Sequence, residues 1–311
     1  MKEHKFIEIN QSNWERLEKI VHDFSNNKLS HYPSNTLEEF LFLFRAASHH
    51  LAYVRTHYPQ SQLEKYLNAL VGSAHHHLYS VRKNPWHDFK NFVTRILPEK
   101  FYQYQPYILS SFLFFLLGAF LSFTLVYYDP SYSFYFIPQS ILENIDYSFQ
   151  AKHWDYALMS STIFINNINV SLRAFVYGIF LGIGTMYILL INGALLGALS
   201  ALVYVNGDVL KYLSLILPHG ILELTAIFMS GAAGLLLGKA LILPGKFKRL
   251  DFIVKNGKEG MPLVLGAVLF LSMAALIEGF FTPLPISPLV KLCFSLLTLI
   301  GLLFYLSPSR F

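Results

Sequence analysis

Residues Tyr107–Tyr127 read YILSSFLFFLLGAFLSFTLVY, a run without a single Asp, Glu, Lys or Arg. Coiled as an α-helix at 1.5 Å per residue, such a run is about 31 Å long, which matches the roughly 30 Å of hydrocarbon in a bilayer. Toward the C-terminus the same character recurs at about 170–191, 193–206, 218–243, 262–281 and 289–306. The expected fold is therefore all-α, with a polytopic membrane domain of about six transmembrane helices over residues 101–311. Asn192-Gly193 reads as a tight turn joining the second span to the third.

Composition agrees with this. The 311 residues are 54% apolar and only 14% charged, against roughly a quarter charged in soluble proteins. The lipid bilayer is the first partner to expect. Thirteen of the 24 basic residues precede residue 101, but they are mixed with acidic ones and form no basic stripe; nucleic acid is thereby excluded as a partner. A single cysteine, Cys293, rules out a disulfide framework or a Cys-ligated zinc site within one chain. There is no P-loop, GxGxxG, GxSxG or HExxH pattern. The chain is not expected to be an enzyme, and no cofactor is expected beyond a bound cation.

Residues 1–100 have amphipathic stripes instead of spanning runs: Leu37, Phe40, Leu41, Phe44, Leu51 and Val54, then Leu63, Tyr66, Leu67, Leu70, Val71 and Leu78, then Trp86, Phe89, Phe92, Val93 and Ile96. This spacing predicts a soluble bundle of three or four helices. Without an apolar signal core, this part is expected to stay in the cytoplasm. Ten of the twelve histidines lie here, including His49-His50 and His75-His76-His77. Neighbouring residues on a helix point in different directions, so these histidines read as solvated or packed side chains.

Loop charge sets the expected orientation, because short cytoplasmic loops collect Lys and Arg. Lys246, Lys248, Arg249, Lys255 and Lys258 crowd the connection between the fourth and fifth spans, whereas 128–169 sets Lys152 against Asp129, Glu143, Asp146 and Asp155. Six spans with both termini cytoplasmic satisfy this asymmetry. Segment 128–169, rich in Tyr and Phe, then lies at the extracytoplasmic interface.

Gly178 and Gly182, Gly193 and Gly197, and Gly234 and Gly238 form small-xxx-small pairs, suited to close packing within the bundle or to a homodimer face. Four ionisable residues inside the spans stand out, Arg173, His219, Glu223 and Glu278, each a functional-site hypothesis by the cost of burying it in lipid. The topology above puts all four in the outer half of the membrane. In PHGILELTAIF, Pro218 opens a helix, and His219 and Glu223, four apart, share a face. Three readings stay open: a structural cluster in which Arg173 pairs with a glutamate, an ion or proton path, and an intramembrane metal-dependent hydrolase. For a metal, His219, Glu223 and Glu278 are the candidates. Asn166, Asn167, Asn169 and Asn192 read as caps and turns, with Asn167 also placed to join the layer.

Several stretches resemble the stage II sporulation protein M family in its broad form with an extra helical domain. They are RAASHHLAYVRTHYP and SQLEKYLNALVGSAHHHLYS near the N-terminus, FINNINVSLRAFVYGIFLGIGTMYILLINGALLG, PHGILELTAIFMSGAAGLLLG, and AALIEGFFTP. The resemblance marks Asn167, Arg173, Gly178, Asn192, Gly193, His219, Gly220, Glu223, Glu278, Thr282 and Pro283 as family-type positions, with His75 and Tyr79 in the N-terminal part. It implies a protein of the bacterial inner membrane and, for the sporulation members, a non-enzymatic scaffold that holds soluble wall-degrading partners. Other membrane or cytoplasmic proteins are the partners this implies. A cation, proton or small-solute transporter or channel using His219, Glu223 and Glu278 is the alternative.

Overall fold

The computed structural model describes residues 2–26, 34–79, 85–143, 156–243 and 248–307. Lys246, Asp146, Lys152, Asp155 and Asn84 lie outside the described residues, as do the side chains of Leu37 and Tyr79. Regular structure among the described residues is helical, and the chain divides into two compact units, Met1–Pro85 and Trp86–Phe311.

The first unit is built from α1 (Glu3–Asn26), α2 (Ser34–His57) and α3 (Gln62–Tyr79). Its stripes close on a core of Trp14, Leu17, Phe40, Val54, Leu67 and Ala74. The Trp14 indole N–H would be costly to bury alone, and it donates to His50 Nδ1 at 3.1 Å. His75 is exposed on α3, and the histidine runs form no metal-ligand group among the described residues.

The expected fourth helix of this bundle belongs to the second unit, so the division falls at residue 85 and not near 100. After α4 (Pro85–Asn91) and a π-turn (Phe92–Ile96), α5 (Leu97–Gln103) buries Leu97 against Met229 and Gly266. Lys100 is bonded to Glu259. The aromatic stripe looked like that of a soluble bundle because it is amphipathic, but its apolar side serves the membrane unit.

There follow α6 (Gln105–Tyr128), a 3₁₀ turn (Pro130–Tyr132), two short helices α7 (Ser133–Phe136) and α8 (Gln139–Leu142), α9 (Tyr156–Val176), α10 (Ile183–Asn206), α11 (Val209–Ile242), α12 (Arg249–Leu276) continued by a π-turn (Ile277–Phe281), and α13 (Pro288–Tyr305). Five of these, α6, α10, α11, α12 with its π-turn, and α13, are long and apolar enough to cross a bilayer. α9, at 21 residues, has the length, about 31 Å, but Asn166, Asn167, Asn169 and Arg173 make it more polar.

The spans expected at 170–191 and 193–206 require correction. Asn192 and Gly193 sit in mid-helix within α10, and the chain turns instead at Leu181 (φ 56°) and Gly182 (φ 80°), a left-handed pair that ends the α9 segment. The Gly193 signal is one of packing: a Cβ there would stand 2.0 Å from the Phe115 carbonyl oxygen. Asn192 stays helical by donating to the Ile188 carbonyl at 2.7 Å. Residues 156–169 are likewise not an interfacial segment, since Ser160 donates to the Ala275 carbonyl at 2.9 Å and Phe164 and Ile168 pack into the core of the bundle. Pro218 and Pro262 do not start helices. Asp208 caps α11 through the Lys211 N–H at 3.0 Å, and both α11 and α12 run through their prolines, as membrane helices tolerate when neighbours support the freed backbone.

Side-by-side residues fix the directions. Phe115 and Ala119 of α6 meet Gly193 and Gly197 of α10, so these two run parallel. Gly178 and Gly182, at and beyond the end of α9, meet Gly234 and Gly238 of α11 in the same sense. Ala233 and Met229 of α11 meet Gly260 and Gly266 of α12 in the opposite sense, as Phe281 and Phe270 of α12 and its π-turn meet Phe294 and Tyr305 of α13. Directions therefore alternate through α9, α10, α11, α12 and α13. The glycine pairs join helices of one chain, which leaves these residues buried and not on a dimer face.

A Cβ at Gly178 would lie 2.0 Å from the Gly234 carbonyl oxygen, so the helices must separate to admit it. Gly178→Ala should lower unfolding stability in detergent by about 1–3 kcal/mol. Gly301→Ala, with nothing within 4 Å, should stay within about 0.5 kcal/mol of the parent.

Candidate functional site

On α11, Pro218 precedes His219, and four residues later Glu223 falls on the same face one turn on. Glu278 comes from the π-turn that continues α12, where the Thr282 N–H reaches back five residues to the Ile277 carbonyl at 2.9 Å. A π-turn widens the helix by one residue and recurs at functional sites. Here it carries the carboxylate inward, and Glu278 is only 1% exposed. One ligand-capable atom from each of His219, Glu223 and Glu278 lies within 4.8 Å of the other two.

A second ring of side chains holds this group. Asn167 of α9 lies beside the Glu223 carboxylate, and Ser160 of α9 lies beside Glu278 while donating to the Ala275 carbonyl. His219 Nδ1 is 3.4 Å from the Thr282 hydroxyl, which itself donates to the Ile277 carbonyl at 3.3 Å. Lys291 of α13, 7% exposed, donates to the Thr282 main-chain carbonyl at 2.6 Å.

Among the described residues, no cation pairs with the cluster. None of the ion pairs among the described residues, which join Arg16 to Glu39, Arg55 to Glu64 and Lys100 to Glu259, touches it. Glu278 Oε2 is buried without a hydrogen-bond partner, a condition shared among the described residues only with the hydroxyls of Ser171 and Ser230. A partnerless carboxylate oxygen is far costlier than a partnerless hydroxyl. Two carboxyl groups and an imidazole this close must be bridged by a positive species, a proton or a larger cation. Beside the cluster, a cavity of about 630 Å³ between α12 and α13 reaches Leu222 and Ile277, each adjacent in sequence to a cluster glutamate, and is otherwise lined by apolar side chains such as Leu97, Met273 and Phe294.

The sequence therefore placed His219, Glu223, Glu278 and Asn167 in one layer, and they meet. Arg173 does not join them. It is exposed on the last turn of α9, six residues beyond Asn167, which is about 9 Å along the axis and on another face of the helix. Gly220, also in this stretch, is buried against Ile216. Ser160 and Lys291 were missed. The signal for Lys291 was present, a lone basic residue in PLVKLCFSLL inside an otherwise apolar span.

If Glu278 sits in the bundle at a net cost, removing its carboxylate should help folding. Glu278→Leu is expected to raise unfolding stability in chelator-treated detergent solution by roughly 1–3 kcal/mol. A loss of stability would mean that the side chain holds the bundle together.

Comparison with known proteins follows this geometry. A family model described as stage II sporulation protein M matches residues 111–283, which contain the whole His219, Glu223 and Glu278 cluster. A separate model, described as a domain of unknown function, matches residues 4–80. Two uncharacterized proteins of the archaeon Methanocaldococcus jannaschii are similar to this chain. One is 30% identical over 39% of the chain and 70% of its own length, and the other 27% identical over 39% of the chain and 54% of its own length. No solved structure matches. The family match covers more than half of the chain and the helices that build the site, and the protein belongs to the stage II sporulation protein M family.

Proposed function

We propose that this protein is a cation transporter or channel of the cytoplasmic membrane, with His219, Glu223 and Glu278 as the site where the cation rests. The observation that carries this reading is the Glu278 carboxylate oxygen, buried and without a partner inside a cluster that no ion pair among the described residues reaches. Two irregularities support it. Pro218 in α11 leaves the Ser214 carbonyl without its helical donor, and the α12 helix widens to a π-turn at Glu278. Interrupted helices at a buried polar site are the construction that transporters use for ion binding.

Orientation follows from charge. With both termini cytoplasmic and α9 counted as a crossing, the alternation of helices sets the connection bearing Lys248 and Arg249 inside, as basic loops prefer. The site then lies in the outer half of the membrane. In liposomes carrying the purified protein, a gradient of one cation among protons, sodium, potassium and divalent metals should drive a flux that falls at least about tenfold in Glu223→Gln and in Glu278→Gln. Folded protein that passes none of these ions would overturn the transport reading.

A second reading, a scaffold for cytoplasmic or membrane partners, is favoured by one observation. Residues 1–85 form a unit with its own core, and 4–80 match a family model of their own, so the membrane domain carries a separately built module. Phe42 is 68% exposed on α2 of that module. On this reading, Phe42→Asp should abolish co-purification of a partner from native membranes while α1–α3 stay folded by circular dichroism; unchanged co-purification would remove Phe42 from any docking face.

A further inference from the structure

The cation site rests so far on charge alone, but the donor atoms are more particular than that. We infer that His219, Glu223 and Glu278 form a mononuclear site for a divalent transition metal of the zinc class, a deepening that rests on the cation-site reading above. Hard cations such as magnesium and calcium take six or more oxygen ligands, several of them carbonyls or waters. Soft cations select thiolates, and Cys293 is exposed on α13. One imidazole nitrogen with two carboxylate oxygens suits zinc, iron, cobalt or manganese, with an open position for water or another ligand.

Three features argue that this is a built site and not a chance meeting of polar groups. The ligand atoms come from two helices and lie within 4.8 Å of one another. A tetrahedral ion with bonds of about 2.0–2.2 Å spaces its ligands roughly 3.4 Å apart, so a modest contraction would close the set. Each ligand also has a polar neighbour: the Thr282 hydroxyl 3.4 Å from His219 Nδ1, and Asn167 and Ser160 of α9 beside Glu223 and Glu278. Polar groups set around a metal site in this way orient its ligands. Finally, Glu278 Oε2 is fully buried, unpartnered and part of the set, as a ligand atom lacking its ion would be. Lys291 makes no ion pair with either carboxylate and is tethered to the Thr282 carbonyl, so it does not supply the missing positive charge.

The test is metal binding by the full-length protein in detergent or nanodiscs. After chelator treatment, zinc is titrated against a chromophoric chelator, and bound metal per chain is counted by mass spectrometry. One zinc per chain is expected, and cobalt in its place should give the visible absorption of a tetrahedral nitrogen–oxygen site. His219→Ala and Glu278→Gln should weaken zinc by more than about 100-fold, and Asn167→Ala, which keeps all three ligands, by about 10–100-fold. Arg173→Ala should change nothing. Size-exclusion profiles identify variants that fail to fold, and Asn167→Ala with the cobalt spectrum keeps the question open to test if a ligand variant is lost. Zinc or cobalt uptake by the parent no higher than that of folded Glu278→Gln overturns the metal assignment. If a proton or monovalent flux sensitive to Glu223→Gln persists alongside that result, the cation-transport reading stands without the metal; if there is neither binding nor flux, both fall.

Discussion

Hydrocarbon offers no hydrogen bonds, so every polar group carried into it must find its partner within the protein. The serines and threonines of the spans show how routinely this is met. Ser110, Thr124, Thr225, Ser272, Ser295 and Thr298 each donate to the carbonyl four residues back on their own helix. These hydroxyls are satisfied locally and tie nothing together. The polar contacts that cross between segments are fewer, among them Thr185 to the Ala174 carbonyl at 2.6 Å, Ser200 to Tyr212, Tyr305 to the Val93 carbonyl, Lys100 and Tyr104 to Glu259, Ser160 to Ala275, His219 to Thr282 and Lys291 to Thr282. The last three surround one cluster, and at its centre stands a carboxylate oxygen left out of the pattern.

Close packing makes the cluster rigid enough to matter. α11 is buried on nearly all sides from Gly231 to Gly238, with α9 and the turn after it touching it backbone to backbone at Gly234 and Gly238. Association of helices in lipid draws on such contact, since exclusion from water no longer drives it. α9, with three asparagines and an arginine in its second half, is pinned there by glycine contacts at one end and, toward the other, by the bond from its Ser160 to α12. Asn167, lying between these anchors, stands beside Glu223 as an uncharged neighbour. A buried carboxylate beside an amide keeps its freedom to bind a cation; an arginine in the same place would have neutralised it.

The family match covers the part of the chain that holds the cluster. The matched region, 111–283, opens within α6 and ends just past Thr282, so it contains both cluster helices and the second-layer residues Asn167, Ser160 and Thr282. Lys291 and α13 lie beyond it. The N-terminal unit, matched by a model of its own, is a bundle stabilised in the ordinary manner of soluble domains, with Trp14 satisfied by His50 in its core.

Much of the site was legible in the sequence because helical spacing is local. His219 and Glu223 share a face by arithmetic alone, and ionisable groups in apolar runs announce themselves by their cost. The membrane class was equally determined, since hydropathy over twenty residues is a property of the chain and not of its partners. What the sequence could not decide was where helices begin and turn. Asn192-Gly193 carries the mark of a turn and serves as a packing face; Gly182, read as half of a packing pair, is the turn. Pro218 and Pro262, which close a helix in water, are crossed in lipid because neighbouring segments support the exposed carbonyls. Each shift of a helix start moves depth and rotation together, and Arg173 fell out of the layer for that reason while Asn167 stayed in. Tertiary structure alone decided which charges meet, because only the packed bundle sets the depth and facing of every helix at once.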